Sequence, residues 1–168
     1  VTFVADYPGD LTEGIENIPE QYNSLGVSSF VPDSIPTLTG YYFLGWATTE
    51  NAESPIYARG TTIGVEGSMT LYTVWASEAV IVYDFSSLNL VTNKNGNGNI
   101  TIDGNNLTDQ KWTVTTYIGA NHTLLAQQNV SRSNYTITNW TTDGNEYLPG
   151  ATFTATGSTH TFVPTFVP

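Results

Sequence analysis

Apolar residues in this chain come in short runs separated by polar, turn-forming clusters. Runs rich in valine, isoleucine, threonine and aromatics occupy 1–5, 41–46, 69–75, 80–85, 99–102, 111–118, 135–140, 151–155 and 161–166, and their length and composition are those of β-strands. Between them stand "YPGD", "VPDSIP", "NKNGNGN", "IDGNN", "TTDGNEYLPG" and "ATGST", built from the residues that favour turn dihedrals. No window sustains a 3.6-residue apolar period, so helices have little support. Only Asp10 to Tyr22 has room for a turn or two, limited by Gly14 and Pro19. The pattern predicts an all-β chain with at most one short helix.

The most apolar run, "GYYFLGW" at 40–46, has three readings on composition alone: a buried strand, a ligand-stacking platform or a sticky surface. Strict alternation places Tyr41, Phe43 and Gly45 on one face and Tyr42, Leu44 and Trp46 on the other. A weaker echo, "NYTITNW", lies at 134–140, and the segments that follow repeat in order. "IYARGTTI" and "MTLYTVW" after Trp46 correspond to "EYLPGATF" and "HTFVPTF" after Trp140, a tandem repeat with a period of about 90 residues. Each copy is long enough to own a core. Two modules follow, 1–76 and 77–168, with a boundary near Ser77. The copies retain Tyr41 and Phe43 as Tyr135 and Ile137, so these positions are expected in the core, while Trp46 and Trp140 either cover a second small core or stand free.

The motifs "VTFVADYPG", "PTLTGYYFLGWAT", "IYARGTT" and "MTLYTVWA" make residues 1–76 resemble the Listeria–Bacteroides repeat, or internalin B-repeat. The second module resembles it only from Tyr135 onward, with Ile137, Asn139 and Phe166 replacing Phe43, Gly45 and Trp75, and its opening, 77–133, does not. The resemblance implies a β-grasp-like first module and leaves the second as a β-sandwich or a diverged copy. It also implies tandem modules of secreted or surface-anchored bacterial proteins, serving as spacers or adhesive segments.

Charge narrows the function. Two lysines and two arginines face fifteen carboxylates, for a net charge of -11, so no basic footprint for nucleic acid exists. With no cysteine there is neither a disulfide framework nor a thiolate metal site. No run approaches a bilayer span, and the first residues lack the basic start of a signal peptide, so a secreted form would place Val1 after a removed leader or an upstream segment. The only histidines, His122 and His160, are flanked by threonine or asparagine with no serine elbow and are expected as exposed strand residues. The carboxylates are scattered through loops, and no phosphate-cradling glycine motif occurs, which argues against an enzyme. Asn93, Asn95 and Asn97 with Gly98 echo calcium-loop spacing but lack its carboxylates, and position twelve is Gly104. No cofactor and no metal are expected.

Six asparagines, Asn99, Asn106, Asn121, Asn129, Asn134 and Asn139, have serine or threonine two residues later. They are candidate N-glycosylation sites, although strand alternation also generates N-x-T. Both chain ends are apolar and β-prone, "VTFV" and "HTFVPTFVP", unlike ordinary termini. Val1, Phe3, Phe162, Val163, Phe166 and Val167 are therefore candidate assembly-strand residues, paired with the next subunit in a head-to-tail fibre. Pro164 and Pro168 suggest that the last run is an edge or donated strand. The expected function is a non-enzymatic extracellular structural protein, either a filament subunit or an adhesin-stalk segment. Its partners would be itself, neighbouring modules of a longer chain, or host or surface glycans. The alternative is a carbohydrate-binding module that stacks sugars on exposed Trp46, Trp140 or Tyr147.

Overall fold

The computed structural model describes residues 1–20, 28–88 and 100–168. The last two residues of the helix candidate, Gln21 and Tyr22, and the asparagine-rich 93–99, including Asn99, lie outside the described residues. The chain divides into two compact units, Val1–Glu78 and Ala79–Pro168. It is all-β: among the described residues the only helical elements are 3-10 turns at Ser86–Leu88 and Gln127–Asn129. The described part of the helix candidate contains no helix, and Glu16 there bridges Thr37.

Unit 1 contains β1 (Thr2–Val4), β2 (Ser29–Phe30), β3 (Tyr41–Ala47), β4 (Tyr57–Ala58), β5 (Ile63–Gly64) and the first part of β6 (Thr70–Asp84). β1 runs parallel to β6, with Phe3 opposite Leu71. β3 is antiparallel to β6, β4 pairs with β3, and β2 with β5 forms a separate ribbon in which Phe30 faces Ile63.

The register of β3 overturns the strict alternation expected from sequence. Phe43 pairs with Trp75 and Gly45 with Val74, so Leu44 is the extra residue of a β-bulge. The bulge resets the pleat and puts Phe43 and Trp46 on the same buried face, their ring centroids 5.1 Å apart. "GYYFLGW" is thus a core strand, and Tyr41 is only half-buried. Gly45 holds φ +148°, and a Cβ there would lie 2.1 Å from the Tyr57 carbonyl oxygen. The glycine is what lets β4 close against the bulge.

Unit 2 contains the rest of β6, followed by β7 (Ile100–Ile102), β8 (Asn105–Asn106), β9 (Lys111–Tyr117), β10 (Asn121–Thr123), β11 (Val130–Arg132), β12 (Thr136–Thr142), β13 (Asn145–Tyr147), β14 (Thr152–Thr154) and β15 (Thr159–Val167). Its registers repeat those of unit 1. Tyr83 of β6 faces Phe162 of parallel β15, as Phe3 faces Leu71. Ile137 faces Phe166 and Asn139 faces Thr165 across a bulge at Thr138, as Phe43 faces Trp75 and Gly45 faces Val74. Trp140 faces Tyr147 as Trp46 faces Tyr57, and His122 faces Phe153 as Phe30 faces Ile63. The three-stranded sheet β11-β7-β8 and strand β9, which pairs with β6, are additional to this shared plan.

Two sequence expectations are refined here. The runs 69–75 and 80–85 belong to one strand, and its second part is the opening strand of unit 2, in a region where sequence showed no family resemblance. The final run pairs on one side at each residue, as an edge strand does, but the side changes along it: Thr159–Phe162 pair with β6, and Val163–Val167 pair with β12.

Candidate functional site

The internal differences between the two units locate the chemistry. Where unit 1 packs Phe3 edge-to-face on Phe30 at 5.9 Å, unit 2 places Tyr83 and His122, joined by a 2.7 Å hydrogen bond between the Tyr83 hydroxyl and His122 Nε2. The same hydroxyl accepts the Leu125 backbone N–H at 3.1 Å, so its own proton goes to the imidazole. Burial pushes the Tyr83 pKa up to about 12, with the Leu125 hydrogen bond opposing, and burial also holds His122 below its ordinary value. Both shifts favour neutral groups, which suits a phenol donating to an unprotonated histidine. Tyr83 packs edge-on to Trp140 at 4.7 Å, and the Trp140 Nε1 donates to the Leu125 carbonyl at 2.8 Å.

His160 is buried rather than exposed, and His122 is half-buried, contrary to the sequence expectation. His160 Nε2 accepts the backbone N–H groups of Thr156 and Gly157, both at 3.0 Å. That fixes its proton on Nδ1. The lone-pair nitrogens of both rings are committed to structural hydrogen bonds. Among the described residues no group of three or more His, Asp or Glu could hold a metal ion.

A pocket of about 440 Å³ opens on unit 2. Its aromatic lining is Tyr147, Phe153 and His160, with Phe153 edge-on to Tyr147 at 5.6 Å and to His160 at 4.7 Å. Thr142, Asp143 and Asn145 of the tight β12–β13 hairpin form one side, and Thr152, Thr154 and Thr156 form another. The hairpin turns through Asp143 and Gly144, with φ of 46° and 76°, the Asp-Gly turn expected between two antiparallel strands.

Trp46 and Trp140 are 2% and 0% exposed, so neither is a stacking surface for sugars, whereas Tyr147 lines this pocket. Among the candidate glycosylation sites, Asn106 and Asn134 are exposed, the latter in a turn at φ 63°. Asn121 is exposed, but its Oδ1 accepts the Thr154 hydroxyl at 2.7 Å. Asn129 is half-buried, with Nδ2 donating to Asp103 at 2.7 Å and Oδ1 accepting the Ala126 N–H at 3.0 Å. Asn139 is half-buried beside the bulge of β12.

The candidate assembly residues divide in the same manner. Phe3 and Phe162 are core residues of their own units, and Val1 and Phe166 pack against those cores. Val163 and Val167, 36% and 44% exposed, remain on the surface.

With the bulge, the closing strand and the opening strand in place, residues 1–74 match the family model of the Listeria-Bacteroides repeat domain. Unit 1 is a Listeria-Bacteroides repeat. No curated protein and no solved structure matches the chain. Listeria-Bacteroides repeats are found in extracellular surface proteins, and theirs is not an enzyme family. The family match stops within β6, yet the repeat's registers recur through unit 2, which makes the tandem organisation a property of the strand pairing as well as of the sequence.

Proposed function

We propose that the chain is a non-enzymatic stalk segment of an extracellular surface protein, built to carry tension between its ends. The supporting observation is the pairing of each unit's first and last strands. In unit 1 the opening strand β1 lies parallel to the closing strand, Thr2 to Val4 against Thr70 to Tyr72. In unit 2 the opening residues Val80 to Tyr83 lie parallel to Thr159 to Phe162. Pulling the start of one strand away from the end of its parallel neighbour drags the two past each other. All the bonds of that ladder then resist together, whereas an antiparallel hairpin pulled at its open end gives way one bond at a time. Connectivity suits the same role: unit 1 pairing ends at Ser77 and unit 2 pairing begins at Val80, leaving no linker.

A filament subunit is the second reading, supported by the exposed valines of the last strand, Val163 and Val167. Deleting 161–168 would remove the buried Phe162 and so cannot separate the two readings. Val163→Lys with Val167→Lys can, because both side chains point away from the core. Under the stalk reading, sedimentation and electron microscopy show the same species for this variant and the unaltered protein. Fibres formed by the unaltered protein and abolished in the variant would establish the filament reading instead.

A further inference from the structure

We propose that the pocket of unit 2 binds a neutral saccharide, an activity separate from the stalk role. Three differences from unit 1 create the site. The segment between Trp140 and Tyr147 is a tight hairpin, whereas Trp46 and Tyr57 are joined by a longer loop whose Asn51 N–H is held by the Asp6 carboxylate. Ile63 of unit 1 is fully buried, while Phe153 at the same register position is partly exposed and lines the pocket. The Tyr57 hydroxyl donates to the Gly64 carbonyl at 3.4 Å. At the corresponding position of unit 2, Thr154 brings a side chain, and the Tyr147 hydroxyl has no hydrogen-bond partner among the described residues.

The lining chemistry selects the ligand class. Partly exposed Tyr147 and Phe153 offer aromatic surface to the C–H face of a pyranose ring. Around them, threonine hydroxyls, the Asn145 amide and the exposed Asp143 carboxylate supply the mixed donors and acceptors that a ring of hydroxyls needs. Among the described residues no lysine or arginine lines the pocket, and the chain carries a net charge of -11, so anionic ligands are disfavoured. The volume of about 440 Å³ accommodates about one or two sugar rings. A glycan end and an internal stretch of a glycan share this chemistry.

The test is an amide-resolved NMR titration of the whole chain with glucose, galactose, mannose, N-acetylglucosamine and their β-1,4-linked oligomers, with glucuronic acid as the anionic control. The expected result is saturable shifts, for at least one neutral sugar, at Asn145, Tyr147, Phe153 and Thr154. Tyr147→Phe, which keeps the ring contacts and removes only the free hydroxyl, should weaken that sugar about fivefold. Asp143→Asn, which keeps a residue tolerant of positive φ, should weaken it comparably. Equal affinity for monomer and oligomer assigns the pocket to a glycan end, and tighter oligomer binding assigns it to an internal stretch. The proposal is overturned if no neutral sugar moves these amides, if glucuronic acid binds as well as the neutral sugars, or if both variants bind as the parent does.

Discussion

At the scale of single residues, the two units differ most instructively at paired positions. Gly45 and Asn139 both sit just after a bulge, but only Gly45 has a positive φ and a backbone oxygen where a Cβ would go. Gly45→Ala should therefore destabilise unit 1 by about 2 kcal/mol or more, while Asn139→Ala costs little; chemical denaturation of each variant checks the contrast. Phe43→Ala should cost about 3 to 5 kcal/mol, as large-to-small changes in a packed core do. A loss under about 1 kcal/mol would mean that the ring is not packed. The Tyr83–His122 pair gives unit 2 a pH dependence that the Phe3–Phe30 pair cannot. Because the folded His122 pKa lies below its ordinary 6.5, its contribution is present above that value and is lost as pH falls below it. Because the folded Tyr83 pKa is raised from 10.0 to about 12, its contribution holds below about pH 10 and is lost as pH rises towards 12. Combining Tyr83→Phe with His122→Phe recreates the unit 1 pair. Melting temperatures across pH should then show a smaller loss of stability in acid than in the unaltered protein.

Among the elements, the strands of high β-propensity were legible because aromatic and branched residues mark them directly, and every such run overlaps a strand. Short strands such as β4, β10 and β13 were not, since two or three residues carry no alternation and tertiary pairing decides them. The bulge was invisible for a related reason: an inserted residue leaves no compositional trace, and alternation then misassigns everything beyond it, as it did Trp46. The pocket was missed except for Tyr147, because its lining converges from the β12–β13 hairpin, β14 and β15, which are distant in sequence. The opening strand of unit 2 was hidden because "AVIVYDF" shares shape but not residues with "VTFVADY". Its Ile81 and Tyr83 are fully buried in unit 2. A fragment of residues 79–168 should accordingly fold, and a fragment of residues 86–168 should not. Dispersion of their amide NMR spectra decides this, and a well-dispersed spectrum from the shorter fragment would remove Ile81 and Tyr83 from the account of the core.

For the whole molecule, the central claim is that parallel pairing of first and last strands makes each unit resist tension along the chain. Resistance to force is set by the unfolding rate under load and not by equilibrium stability, so a modestly stable unit can still be mechanically strong. The most direct measurement is single-molecule stretching of the 168-residue chain between flexible handles attached at Val1 and Pro168. Each unit should break in one abrupt event that releases on the order of 300 Å of chain. The force should be well above that needed when handles moved to Asn139 and Leu148 pull the β12–β13 hairpin apart from its open end. Gradual extension without discrete breaks, or equal forces in the two geometries, would contradict the account.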